Sequence, residues 1–548
     1  MLANFVDWVG DRNPQLMREW KGRWQPRTVA IALALAVLAQ GLFMLAWWSQ
    51  LPDTQTVAVG ERYHTYCLTS APSAYKACLL DGNNRLMVDW ERWYLDVFRS
   101  LNWLLPLGGW VPSVLFLAAD MQREESRGTA TFLRLSPQPA AAVLTGKLWG
   151  VPSLCGLMFA SAVPLHLWVA HQVSADPQFV VGYYLLLAAG TVLLFPLTLL
   201  LAAIAGNQQQ RSDIFSGLTL VLAGGLGLGF SLTFLLSNLA IAWEGPDAHY
   251  FTQATNFPVY WFGHRLNGTR FISYAFTLAN LLWLAGWAWT GLKRRFADPQ
   301  APVFRKSQAY LLLGYWYTLG LGFVWEEHGL WGAEALQIWH ILILMANLAA
   351  IAVLSPHRQT LLDWARHRHH RRQYPWQDLF LAENSPAPPA IALAQAGLVG
   401  LTAIALLCAN HVTTPERLRV LMATLLLGLW SVLLAILGQR CLLLKTNKRV
   451  LWAGGTLASL VILPPLSLAI AGIVPDRIPF LWLFTAFPGA ALFGTSQPNL
   501  GQWLGVATLA SLGSGLVYQK HRRYLQHLGR SEWQQLQTTA HQPNLDRV

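Results

Sequence analysis

The sequence predicts an all-α polytopic membrane protein, and three observations carry that prediction. Of the 548 residues, 54% are hydrophobic and only 12% charged, against roughly 25% charged in an average soluble domain. Apolar runs recur at about 20 residues, the length a helix needs to cross lipid, where the backbone has no hydrogen-bond partner outside itself. The intervening segments alternate in charge, as the positive-inside rule requires of a chain that crosses repeatedly.

The runs place spans at 28–48, 99–119, 148–171, 179–205, 214–242 and 271–291, then at 308–324, 335–354, 387–410, 418–438, 451–473 and 500–519. With the N-terminus inside, the inner segments collect 29 of the 39 Lys and Arg but only 13 of the 27 Asp and Glu. Losing any one span would invert every later loop and spoil this division, so it favours twelve spans with both termini cytoplasmic, an integral multi-pass protein of a bacterial inner membrane. The net charge of +12 follows from topology, and no basic surface for nucleic acid is needed to explain it.

Residues 1–27 are polar and tryptophan-rich without the short apolar core of a cleavable signal, which leaves the first span as the insertion signal. Within them Asn13 suits a helix cap and Pro14 the first helical position, while Leu16, Trp20 and Trp24 share one face and Arg18, Lys21 and Arg23 lie elsewhere. Residues 49–98 form an outer segment holding Cys67 and Cys78, where an oxidising compartment permits a disulfide; two free thiols is the other reading.

The first six spans (28–291) and the last six (308–519) follow one plan, joined by a basic, proline-broken linker at 292–307 and followed by a tail at 520–548. "SPQPAAAVL" from Ser136 matches "SPAPPAIAL" from Ser385, each opening the third span of its half, and "NFP" ending at Pro258 matches "AFP" ending at Pro488. Six spans per half would make this a parallel repeat about an axis along the membrane normal; one irregular bundle with accidental similarity is the other reading.

Between the second and third spans lies the inner segment 122–137, headed by Glu124, Glu125 and Arg127. Phe132, Leu133 and Leu135 give it a short helix with an apolar side. The acids are expected at that helix's start, where they favour its dipole. Ser136-Pro137 stops it, because a residue before proline is pushed out of the helical region, and Gly146-Lys147 marks the return to lipid.

The pattern E-x-R-G-T-x-x-x-L-x-x-S-P from Glu125 to Pro137, followed by Gly146-Lys147, resembles the signature of ABC-type export permeases. The resemblance implies that 122–137 is a coupling helix docking on a separate ATPase subunit. Glu125 and Arg127 would then supply charge pairs, Gly128 and Thr129 a close backbone approach, and Leu133 an apolar anchor, with Ser136 and Pro137 ending the element. The stretch from Asn13 to Trp24, including Pro14, Arg18 and Glu19, is similar to the family's interfacial elbow helix. Short outer hairpins near Pro258 and Pro488 are implied as well. The second half offers 376–386, "WQDLFLAENSP", which keeps Asp378, Glu383, Ser385 and Pro386 but lacks Arg-Gly-Thr. An unequal dock is therefore expected, with Glu125 mattering more than Glu383.

No nucleotide site is expected in the chain itself. The only Gly-Lys, Gly146-Lys147, has Ala141 where a P-loop needs its first glycine and is followed by Leu148. ATP and Mg would belong to partner ATPases in trans, one per coupling helix, and fusion of the halves would make a second permease chain unnecessary. No catalytic residue and no metal ligand set is predicted: His367, His369 and His370 sit among arginines that repel a cation, in a polybasic loop suited to anionic headgroups. His166, His171 and His340, in or near spans, are expected to be neutral and bonded to neighbours. No carboxylate lies in the middle of a span, which weighs against an ion-coupled carrier. The other class is a membrane enzyme acting on a lipid-linked substrate, for which Asp89, Glu91 and Asp96 are the only outer carboxylate cluster; a solvated helix face is the simpler reading. A non-transporting membrane scaffold is a third possibility. The transported compound is not encoded in any motif.

Overall fold

The structure is a computed structural model that describes residues 8–52, 65–68, 78–79, 86–208, 260–266, 269–299, 301–325, 333–356, 358–370, 375–409, 413–446, 448–492 and 497–528. These divide between two compact units, one drawn from Met1–Pro258 and Asn267–Pro299, the other from Val259–Leu266 and Gln300–Val548.

Both are built almost wholly of helices, ten of which are long and apolar enough to cross a membrane, compatible with an integral multi-pass protein. The first unit contains α1 (Pro14–Arg23), α2 (Pro26–Trp48), α3 (Trp90–Ser126), α4 (Thr129–Leu135), α5 (Ala140–Gly150), α6 (Ser153–Gln172), α7 (Pro177–Gln208) and α8 (Arg270–Ala297). The second contains a two-strand hairpin of β1 (Tyr260–Trp261) and β2 (His264–Arg265), followed by α9 (Lys306–Val324), α10 (Ala333–Leu354) and α11 (Arg358–His370). It continues with α12 (Pro375–Leu381), α13 (Ala387–Cys408), α14 (Thr414–Leu442), α15 (Arg449–Ile470), α16 (Pro479–Trp482), a 3₁₀ turn at Pro488–Leu492 and α17 (Leu500–Leu528).

Ten of the twelve predicted spans thus have a candidate membrane helix. The seventh, 308–324, is helical as α9, but Lys306, Gln308, three tyrosines and a threonine dilute its apolar character and keep it out of the ten. The fifth, 214–242, and the predicted hairpin at Pro258 lie outside the described residues. The third is broken: α5 ends at Gly150 and α6 begins at Ser153, with Val151-Pro152 between, because proline cannot donate the amide that a continuous ladder needs.

In the first unit α7 lies between α8 and α3, and α6 packs on both α2 and α3. The segment around Cys67 is pinned beneath the start of α3. Cys67 and Cys78 form a disulfide with Cα atoms 5.5 Å apart, Cys67 bridges Val88, and the Tyr66 hydroxyl donates to Asp96 at 3.2 Å. Burial and the adjacent Asp96 push the Tyr66 phenol up to about 12, so it remains a donor.

In the second unit α14 is central, touching α13, α15, α17 and α10. Four helices meet there through polar groups no span-level pattern reveals. The Tyr317 hydroxyl donates to Asn347 Oδ1 at 2.7 Å, Gln395 Nε2 donates to Tyr317 at 3.0 Å, and Asn347 Nδ2 donates to Ser431 at 3.0 Å. All four are buried, and such satisfied bonds hold helices together in an apolar medium. The turn at Pro488–Leu492 is likewise buried against α14 and α10.

Candidate functional site

Asn13 Oδ1 accepts from the Leu16 amide at 3.0 Å and Pro14 occupies the first turn, as the sequence predicts for a capped helix. The face packed on the rest of the unit is a polar one, set apart from the predicted apolar face of Leu16, Trp20 and Trp24. Gln15 and Glu19 are buried, while Trp24 is exposed. The reason lies in α5, which α1 crosses over glycines: a Cβ on Gly146 would fall 2.7 Å from the Leu16 amide nitrogen, and one on Gly150 would fall 2.5 Å from Glu19 Cβ. Asn13 Nδ2 completes the crossing by donating to the Ala142 carbonyl at 2.9 Å. Gly146 therefore serves a helix crossing.

Next to this crossing, Lys147 is completely buried and lies 2.7 Å from both Asp120 Oδ2 and Glu124 Oε1. Arg23 bonds the other oxygen of Asp120 at 3.1 Å and also pairs with Glu19. Glu19 in turn accepts from Gln15 at 2.9 Å. Burial works against the Lys147 ammonium, yet Asp120 and Glu124 outweigh it and hold the group above the ordinary lysine range. One cluster of charges thus ties α1, the end of α3 and α5 together.

The acids belong to a different element from the one expected. Helix α3 continues through Glu124 and Glu125 to Ser126, and α4 begins only at Thr129, so both acids sit at the end of the preceding helix. The boundary is Gly128, whose φ of +70° is a left-handed conformation that favours glycine and reverses the chain between the two helices. The carboxylates gain nothing from the α4 dipole there and are neutralised by cations instead. Helix α4 ends at Leu135, with Ser136 extended before Pro137, as predicted.

Arg134 fixes the short helix. Its guanidinium bonds Glu125, its Nε donates to the Phe296 carbonyl at 2.8 Å, and its Cζ lies 5.5 Å from the Phe296 ring. The carboxylate of Glu125 is therefore occupied within the unit. Leu133, the predicted anchor, is half-buried, whereas Phe132 and Leu135 are 76% and 79% exposed. Arg127, Gly128 and Thr129 are exposed beside them, and nothing lies within 4 Å of the Cβ direction of Gly128. The apolar residues presented outward are Phe132 and Leu135.

In the second unit Asp378 accepts from Trp364 Nε1, Glu383 pairs with Arg305 at 3.2 Å, and Pro386 caps α13. Ser385 is buried and bonds Lys306, a cation absent from the sequence-based set. Lys306, just ahead of the predicted 308–324 span, also donates to the carbonyls of Leu379 and Pro386, each at 3.0 Å, and Tyr310 donates to the Phe380 carbonyl at 2.7 Å. Helix α12 is thus clamped to α9 by its last carbonyls. Burial pulls the Lys306 ammonium down to about 8, with Asp378 opposing the fall. The unfolded chain keeps this proton up to the ordinary value of 10.5; between these limits it binds more protons than the folded chain, so stability rises with pH. Below about 8 the burial penalty is complete. The unfolding midpoint of the wild type, relative to Lys306→Met, should therefore climb between about pH 8 and about pH 10.5; a constant difference would contradict a charged, buried Lys306.

Most of the remaining polar candidates are engaged structurally. His166 is buried between the Tyr184 hydroxyl at 2.8 Å and Asn102 Oδ1 at 2.9 Å, and His340 contacts Thr424 at 3.2 Å, as expected of neighbour-bonded histidines. His171 is exposed at the end of α6. In the outer carboxylate group, Asp89 caps α3 through the Arg92 amide, and Asp96 holds Tyr66 and Arg99. Glu19, Asp120 and Glu124 bring oxygens within 4.8 Å of one another, close enough for one metal ion. Lys147 and Arg23 already bond all three carboxylates, and an ion would have to displace them.

No family model, no characterised protein and no solved structure matches this chain.

Proposed function

We propose that the chain is the membrane-spanning permease of an ABC-type exporter, with two six-span halves in one polypeptide, powered by separate ATPase subunits that carry ATP and Mg. The supporting observation is α4, an apolar knob between two long helices whose Phe132 and Leu135 are presented outward while Arg134 locks its base. A push on this knob would pass through Arg134 to the ends of α3 and α8, and through Asp120, Glu124 and Lys147 to α1 and α5. Glu125 acts in this scheme as an internal strut. Arg127, Gly128 and Thr129 remain the polar rim of the docking surface.

The counterpart in the second half is α12, held by Lys306 and Tyr310, with Leu381 half-exposed as its apolar contact. Two of the three outer carboxylates, Asp89 and Asp96, are occupied as a helix cap and as a partner of Tyr66 and Arg99, while Glu91 is exposed on the helix face, which disfavours an enzyme working there. Carboxylates are also absent from the middle of the described candidate spans, which disfavours ion coupling and suits an amphipathic or hydrophobic cargo. Both termini would be cytoplasmic, in a bacterial inner membrane.

Co-expression with candidate ABC ATPases tests the reading. The detergent-purified chain should retain an ATPase through a column and alter its hydrolysis rate. Failure to retain one, together with turnover of a lipid-linked substrate by the chain alone, would establish the enzyme instead.

A further inference from the structure

We propose that the cleft between α1 and the end of α3 binds the phosphate of an anionic lipid headgroup. A cavity of about 320 Å³ opens there, lined by Arg18, Glu19, Arg23, Asp120, Arg123, Glu124 and Arg127 among others. Its inner charges are used on one another: Glu19 and Asp120 bond Arg23, and Asp120 and Glu124 bond Lys147. Arg18, Arg123 and Arg127 are exposed at the rim, and none of them has an ion pair among the described residues. Three rim cations set against one surplus inner carboxylate leave the cleft positive, with room for an anion of one or two charges.

The position selects the source of that anion. Helix α1 directly precedes the apolar α2, and its exposed Trp24 and Lys21 beside Arg18 give it the character of a helix lying at headgroup level. The same face carries the excess of Lys and Arg that marks the cytoplasmic leaflet, where anionic lipids supply phosphates at high local concentration. A lipid phosphate seated against Arg18 of α1 and Arg123 of α3 would fasten the interfacial helix to the first unit from the membrane side. The inference rests on membrane insertion, on the cytoplasmic orientation proposed above and on this cleft, not on the identity of any ATPase.

Native mass spectrometry of the purified full-length chain, titrated separately with phosphatidylglycerol, cardiolipin and phosphatidylcholine, provides the test. The wild type should retain the two anionic lipids over phosphatidylcholine, and Arg18→Gln/Arg123→Gln/Arg127→Gln should weaken that retention on the order of a hundredfold. Arg18→Lys/Arg123→Lys/Arg127→Lys, which keeps the charge, should restore most of it, and the exposed pair Lys445→Gln/Lys448→Gln should leave it unchanged. Thermal unfolding of each variant separates a folding defect from a lost site. Retention unaffected by the glutamine triple, or indifferent to headgroup charge, would overturn the proposal. Displacement of bound lipid by millimolar inorganic phosphate would overturn the lipid assignment in favour of a free-anion site.

Discussion

Replacing Lys147 with methionine is expected to destabilise the first unit by about 3–5 kcal/mol, the cost of removing one partner from a buried ion pair. Methionine has similar length and fills the space without a void, so packing contributes little to the loss. What remains are Asp120 and Glu124, which Lys147 contacts at 2.7 Å each, with only Arg23 left to serve Asp120. Glu124 then has no cation within the cluster. Thermal unfolding of the purified chain measures the effect. The triple variant Lys147→Met/Asp120→Asn/Glu124→Gln should recover much of the loss, because it leaves no uncompensated charge in the cluster. Equal destabilisation of the single and triple variants would contradict an uncompensated carboxylate as the source of the loss.

Replacing both Phe132 and Leu135 with aspartate is expected to abolish retention of the ATPase while leaving the chain's own stability within about 0.5 kcal/mol, as for other exposed sites. Each side chain is more than three-quarters exposed, and neither belongs to the charge cluster. At a protein interface, apolar anchors of this kind contribute about 2 kcal/mol each, or roughly thirtyfold in affinity, and an introduced carboxylate adds a desolvation cost. Leu133→Ala should weaken retention less, since Leu133 is already half-buried within the unit. Glu125→Gln should act through the fold, by loosening Arg134, and so should lower stability and coupling together.

Much of the fold is legible in the sequence because its signals are local. The apolar runs mark spans through their length, Asn13-Pro14 and Ser136-Pro137 mark helix ends through backbone chemistry, and two cysteines 11 positions apart in one predicted outer segment find each other. The features missed depend on distance along the chain. Periodicity does not reveal that α3 runs on through its polar residues to Ser126, since Glu and Arg are good helix formers and the stop is a single left-handed glycine. The rotation of a seven-residue helix is likewise undetermined by its own residues. It is set by the bond from Arg134 to the Phe296 carbonyl, 162 positions away, which turns Phe132 and Leu135 outward in place of Leu133. Lys147 and Lys306 read in sequence as ordinary flanking cations, yet the acceptors of Lys147 lie 23 and 27 positions away and those of Lys306 lie 73 to 80 positions away.

The most direct measurement of the coupling role is photo-crosslinking from position 132 in intact cells. With p-benzoylphenylalanine in place of Phe132, the proposal predicts an ultraviolet-dependent adduct with a P-loop ATPase, lost when Leu135 is aspartate. Adducts with lipid alone, or labelling of a cysteine at position 132 by an impermeant reagent added outside the cell, would contradict it.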